Sequence, residues 1–294
     1  MAMLTLLVAA ALLAASGSEA SEASSSADSS MAHGPPAPPA SDEFNRDPCN
    51  PMFNFSALPH CDATRSPASR ARALAATLSL ADKAKFVEST YQSGNQAVGL
   101  ARVMATTCLM GAVASGFGSH PNSRNTTALP CPITLAATWD RELLQRAAAM
   151  VSTEVRSLTN DLGTQNGIIC WDPVLNTCRD PRWGRCQEGY GEDPFLTAEI
   201  ARVWIRGIQG NPAAKHMKVG TISKHFAAHT GPESPNNEQD VGRMSFDTVV
   251  SERALHSHFL APFRAAAEAG TIGFMCSYNA INVRPTHPFF LLPG

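Results

Sequence analysis

The sequence predicts an α/β fold in which short parallel strands alternate with longer outer helices. Two observations carry this reading. Apolar runs at residues 133–135, 168–171, 219–226 and 272–278 are continuous rather than alternating, as strands covered on both faces are. Amphipathic stretches lie between them, so strand and helix take turns along the chain, the order that builds a parallel sheet with helices outside it.

The elements follow in order. Residues 3–15 are almost wholly apolar, with small residues after them and a small-x-small cleavage form at Ser18-Glu19-Ala20. That is the length of a signal-peptide core and too short to span about 30 Å of hydrocarbon, so residues 1–20 are expected to be a signal peptide on a secreted, extracellular protein. Residues 21–45, rich in Ser, Ala and Pro, read as a linker with too little apolar surface to pack. Residues 46–294 form the folded part, with ordered chain beginning near Asp47.

Residues 68–89 predict a helix, with Leu74, Leu78, Phe86 and Val87 among many alanines. Residues 138–158 predict the clearest one, because Trp139, Leu143, Leu144, Ala147, Met150, Val151 and Val155 recur at helical spacing on one face. Residues 195–208 and 247–268 read the same way. Each strand run ends in polar or turn residues: Asp172-Pro173, Lys224-His225 and Ser277-Tyr278-Asn279. In a barrel, such carboxyl ends form the active face.

Composition narrows the function. With 23 Lys+Arg against 25 Asp+Glu, the net charge is −2 and no basic run exists, so no nucleic-acid partner is expected. No later segment is long and apolar enough for a membrane span, so no membrane partner is expected either. The 44% hydrophobic content supports a sizeable core, and the ~250 residues behind the leader suit one α/β barrel or two small domains. Eight cysteines fit an oxidising compartment. Cys49/Cys61 and Cys178/Cys186 are each spaced to close a small loop, buried thiols being the alternative. The sequons at Asn54 and Asn125 are glycosylation candidates.

Three constellations carry chemistry. Residues 171–194 are polar and dense in Gly and Pro, yet hold Trp171, Trp183, Arg179, Arg182 and Arg185. An arginine on a rigid turn donates several hydrogen bonds to sugar hydroxyls, and a Trp face is a platform for a sugar ring; the bland alternative is a loop stapled by its own Arg–Asp/Glu pairs. Lys224-His225 ends a strand run, and two adjacent polar residues cannot both face a strand's core, so at least one reaches the barrel mouth. Met275-Cys276-Ser277-Tyr278-Asn279 is the third, with a Tyr hydroxyl and an Asn amide able to hold a ligand. His256-Ser257-His258 is a poor metal pair, since i, i+2 on a helix points to different faces. Glu233 and Glu238 read as solvated loop charges. No serine-hydrolase, P-loop or dinucleotide motif occurs.

Taken together, CRDPRWGRCQEGYGEDP from Cys178 to Pro194, then Lys224-His225-Phe226-Ala227-Ala228, then MCSYNAIN from Met275 to Asn282, resemble glycoside hydrolase family 3 in its secreted β-xylosidase-like branch. The resemblance implies an N-terminal (β/α)8 TIM-barrel-like domain and retaining hydrolysis of β-linked oligosaccharides from non-reducing ends, without metal or organic cofactor. It implies substrate-binding roles for Arg185, Lys224, His225, Met275 and Tyr278, and a loop disulfide between Cys178 and Cys186.

Two departures accompany it. The family's nucleophile, an Asp on a later strand, is expected beyond Gly294, and the acid/base further on. The chain as written is therefore expected to be a barrel incomplete at its C-terminus, without catalytic residues and inactive. Upstream, residues 104–111 stand where the family carries a Trp- and Glu-containing segment, so one sugar contact is expected to be missing. A non-catalytic sugar-binding remnant is the alternative function. A third outcome is a product that fails to fold, because open sheet edges favour aggregation.

Overall fold

The computed structural model describes residues 49, 57–88, 105–112, 126–162, 167–231 and 246–285. The leader, the linker, the sequon asparagines Asn54 and Asn125, Glu233 and Glu238 lie outside them. The described residues form a parallel α/β arrangement. Strand β1 (Ile169–Cys170) pairs with β2 (Gly220–Phe226), which pairs with β4 (Gly273–Cys276), all parallel. A parallel bridge from Thr106 to Cys170 continues the sheet past β1. A small second sheet joins β3 (Asp247–Thr248) parallel to β5 (Ala280–Ile281), which runs antiparallel to β6 (Arg284–Pro285). No described helix is long and apolar enough to cross a membrane.

Seven helices are labelled along the described chain. Pro67–Thr77 (α1) and Leu80–Glu88 (α2) occupy the stretch expected to be one helix. The break at Leu78-Ser79 has a local cause. Ser79 Oγ accepts from Asp82 N at 3.1 Å and donates to Asp82 Oδ2 at 2.6 Å, a side-chain cap that starts a new helix. Pro132–Ala136 (α3) overturns the strand expected at residues 133–135: Pro132 stands in the first turn, where its missing N–H costs nothing and its fixed φ favours helix. A three-residue run, Ile133-Thr134-Leu135, is too short to show a period.

Arg141–Leu162 (α4) and Pro194–Gln209 (α5) match their expected helices closely. Asp140 caps α4 by accepting from Leu143 N at 2.9 Å, so Trp139 falls outside the helix at φ 55 and is 70% exposed rather than part of the apolar face. Asp193 caps α5 by accepting from Phe195 N and Leu196 N.

The stretch 247–268, expected to be one helix, is composite. It opens as β3, then Ser251 caps a single α turn at Glu252–Ala254 (α6), which widens to π geometry at Leu255–Phe259 and resumes as Ala261–Glu268 (α7). Pro262 explains the wide turn, since its ring would strike the His258 carbonyl one turn back in a regular helix.

The core lies between α4, α5 and the sheet. Leu144, Ala148, Val151 and Val155 face Ile200, Trp204 and Ile208. The helices come close where Gly207 passes Ala148: a Cβ on Gly207 would lie 2.6 Å from Ala148 Cβ. Strand β2 is buried along most of its length, but β4 alternates between half-buried and exposed, unlike the double coverage its apolar run predicted. Among the described residues β4 has a neighbour on one edge only, and Phe274 stays 37% exposed.

Candidate functional site

The candidates Lys224, His225, Met275 and Tyr278 lie at or just past the carboxyl ends of β2 and β4, and Arg185 reaches His225 from the loop after β1. The register between β2 and β4 shifts between Lys224 and Phe226, and this bulge breaks the in–out alternation of the strand. Lys224 and His225 are therefore both buried, each 5% exposed. Lys224 is held by its backbone, which donates to Pro173 O at 2.9 Å and accepts from Leu175 N at 2.7 Å. Met275 sits opposite Lys224 in the register and is half-buried.

Asn176 clamps His225 from the neighbouring segment. Its Oδ1 accepts from His225 N at 2.9 Å, its Nδ2 donates to His225 O at 3.0 Å, and Oδ1 lies 3.3 Å from His225 Nδ1. Arg185 donates to Glu188 through two nitrogens, both at 2.6 Å, and its Nη1 approaches His225 Nε2 at 3.3 Å. An arginine donates only, so this contact makes Nε2 the acceptor and leaves the ring proton on Nδ1, facing Asn176. The His225 ring lies 4.9 Å from that of His229, which is 6.3 Å from the Tyr278 ring. Arg185, Lys224, His225, Met275 and Tyr278 thus share one strand-end region.

The three arginines of the 171–194 loop divide their work. Arg179 covers the Phe259 ring at 4.4 Å, Arg182 pairs with Asp180 at the surface, and Arg185 alone turns to the strand ends. The stapled-loop reading and the ligand-donor reading therefore both describe this segment. Trp183 is no platform: it is 2% exposed and packs on Leu109, Val174 and the bonded Cys178–Cys186 pair. Asn279 is likewise taken up by the fold, its Oδ1 accepting from His229 Nδ1 at 3.0 Å and its Nδ2 donating to Ala227 O at 3.2 Å. His258 Nε2 lies 2.8 Å from Thr177 Oγ1, and His256 pairs with Glu252, so the two imidazoles point apart.

Sequence reading did not single out Asn176, Glu188 or Asp172 as site residues. Asp172 is fully buried; its Oδ2 accepts from Cys108 N at 2.5 Å and its Oδ1 has no partner. The disulfides are Cys49–Cys61, Cys108–Cys170 and Cys178–Cys186, with Cys131 and Cys276 free among the described residues. Burial pushes the Asp172 carboxyl up to about 6, against the pull of Lys224 and the Cys108 amide. Burial likewise lowers the Lys224 ammonium, with Asp172 acting the other way.

The Asp172 shift has a stability consequence. Between about pH 4 and 6 the folded chain holds a proton on Asp172 that the unfolded chain has released, so this contribution weakens as pH rises and is lost above about 6. The full swing is on the order of 3 kcal/mol. Asp172→Asn, a neutral isostere, is expected to be more stable than the wild type at pH 7.5 and to match it near pH 3, where the carboxyl is protonated in both the folded and the unfolded chain. Urea unfolding of both proteins at the two pH values checks this; equal stability at both would disprove it.

A parallel α/β sheet with Arg185, Lys224 and His225 gathered at its carboxyl strand ends has its polar side chains where a barrel-type enzyme domain carries its active face. The chain belongs to glycosyl hydrolase family 3, whose N-terminal domain model matches residues 71–289. It is 35% identical to the exo-1,4-beta-xylosidase bxlB of Emericella nidulans over 241 residues, 79% of this chain and 30% of that one. It is 34% identical to the beta-xylosidase/alpha-L-arabinofuranosidase 1 of Medicago sativa subsp. varia over 244 residues, with the same coverage. Among solved structures, a family-3 exo-beta-xylosidase (XlnD), held with a xylobiose aziridine activity-based probe, superposes with a TM-score of 0.70 at 31% identity. That match covers 79% of this chain and 30% of the other. The chain thus spans about 30% of the length of these relatives. The fold is TIM-barrel-like α/β, and the xylosidase-like likeness read from the motifs stands.

Proposed function

We propose that the chain binds the non-reducing-end sugar of a β-linked oligosaccharide, xylose in the first place, and is the sugar-gripping part of a retaining β-xylosidase. The observation that carries this is the convergence of Arg185, Lys224 and His225, with Arg185 Nη1 3.3 Å from His225 Nε2 at the ends of β1 and β2. Arg185 and Lys224 are donors that can grip ring hydroxyls and tighten as the transition state forms, with His225 holding Arg185 in place. The relatives named as xylosidases support xylose over larger sugars.

Retaining hydrolysis also needs two carboxyls about 5 Å apart, one as nucleophile and one as acid/base. Glu188 is committed to Arg185 through both oxygens, and Asp172 is buried. In this reading neither attacks the sugar, and the chain by itself grips without cleaving. Three disulfides and the apolar residues 3–15 support export to an oxidising, extracellular setting.

The test is to titrate the full chain with xylose by NMR and to assay it with an aryl β-xyloside. Saturable xylose binding with no aglycone release is expected. Absence of binding overturns the sugar site, and release of aglycone overturns the gripping-only part.

A further inference from the structure

We propose that Asn176 is a positioning residue: its buried carboxamide fixes the tautomer and pose of His225, and through His225 it holds the Arg185 guanidinium at the strand ends.

The segment after β1 brings the amide into place. Val174 forms a parallel bridge with Lys224, Lys224 N donates to Pro173 O at 2.9 Å, and Leu175 N donates to Lys224 O at 2.7 Å. Residues 173–175 thus run in register beside β2. Val174 clusters with Leu109 and Trp183, and Leu175 clusters with Ile205 and Phe263, so the segment is anchored in two separate parts of the core. The next residue, Asn176, meets His225 across 49 positions and is 3% exposed.

The His225 peptide decides which way round the amide sits. Its N–H can only donate, and it meets Asn176 Oδ1 at 2.9 Å; its carbonyl can only accept, and it meets Nδ2 at 3.0 Å. Turning the amide over would set N–H against N–H and oxygen against oxygen in a buried place, losing both hydrogen bonds. The oxygen is therefore the atom presented to the ring, 3.3 Å from Nδ1. An oxygen there calls for a proton on Nδ1, which in the neutral ring leaves the lone pair on Nε2. Arg185 Nη1 arrives at that same Nε2, at 3.3 Å. The opposite tautomer would put a lone pair against Oδ1 and an N–H against a guanidinium. Asn176 inside and Arg185 outside thus hold one state of the ring, and that state is the one that can accept from Arg185.

The consequence for binding rests on the sugar-site reading above; the tautomer does not, so the experiment reads both. The full chain is labelled with 15N at histidine and studied near pH 8, where an ordinary imidazole is neutral. Long-range 1H–15N spectra separate rings protonated on Nδ1 from rings protonated on Nε2, and the His225 signals are those lost in His225→Gln. The wild type is expected to carry the His225 proton on Nδ1. Asn176→Ala is expected to lose that single state, with the Nε2–H form present in a comparable share. Its xylose affinity is expected to fall about tenfold, the worth of roughly one hydrogen bond. Asn176→Asp keeps an oxygen opposite both His225 N–H groups and is expected to keep the Nδ1–H signature.

A wild-type ring protonated on Nε2 overturns the proposal without any variant. So does an unchanged tautomer in Asn176→Ala, because a merely structural asparagine would cost stability or affinity and leave the ring proton where it was. If the alanine variant does not fold, Asn176→Asp decides, and loss of the Nδ1–H signature there overturns the proposal. A tautomer shift in Asn176→Ala without xylose binding by the wild type upholds the positioning of His225 and overturns the sugar site instead.

Discussion

Replacing Arg185 with alanine is expected to weaken xylose binding by about 10- to 100-fold, because a charged donor to a sugar hydroxyl is worth roughly 1.5–3 kcal/mol. Two indirect effects add to the direct one. Glu188, 25% exposed, would be left with a carboxylate whose guanidinium partner is gone, at the edge of a site meant to hold uncharged hydroxyls. His225 would lose the donor that holds Nε2 as an acceptor and so fixes its tautomer. Arg185→Lys is expected to recover little, since an ammonium cannot bridge both Glu188 oxygens and reach His225 together. Titration with xylose by NMR measures the change, and circular dichroism shows that the fold persists. Wild-type affinity in Arg185→Ala would place the sugar elsewhere than these strand ends.

Trp204→Ala is expected to cost about 3–5 kcal/mol of stability, a large part of the total for a single domain. Trp204 is 1% exposed on α5 and packs among Leu144, Ala148 and Val151 of α4, so truncation opens a void that two stiff helices cannot collapse into. Its indole N–H has no partner. Trp204→Phe removes that unpaired donor and keeps most of the volume, and is expected to cost far less than the alanine variant. Urea unfolding followed by circular dichroism compares the two. A loss below about 1 kcal/mol for the alanine variant would show that α4 and α5 do not form the core described.

The legible parts of this molecule were those written in local chemistry. α5 could be read because Asp193-Pro194 is a cap followed by a first-turn proline, and its apolar face repeats at helical spacing. β2 was legible as an apolar run ending in Lys224-His225. The runs that failed lacked such marks or carried marks that were passed over. Residues 133–135 are too short to show a period, and Pro132 in front of them was the overlooked helix signal. The break at Ser79 and the wide turn before Pro262 were likewise written in single residues that a periodicity count averages away.

The sequence by itself determined the class of fold and the family likeness and singled out Arg185, Lys224 and His225 as candidates, because each depends on residues close together in the chain or on recurring motifs. Only the tertiary structure decided what surrounds those candidates. Asn176 meets His225 across 49 positions, and Cys108 meets Cys170 across 62. Asp172 reads in sequence as one more turn residue before a proline. It becomes a fully buried carboxylate, with one oxygen on Cys108 N and the other unpartnered, only when residues 105–112 pack against the strand ends, because burial is a property of neighbours in space.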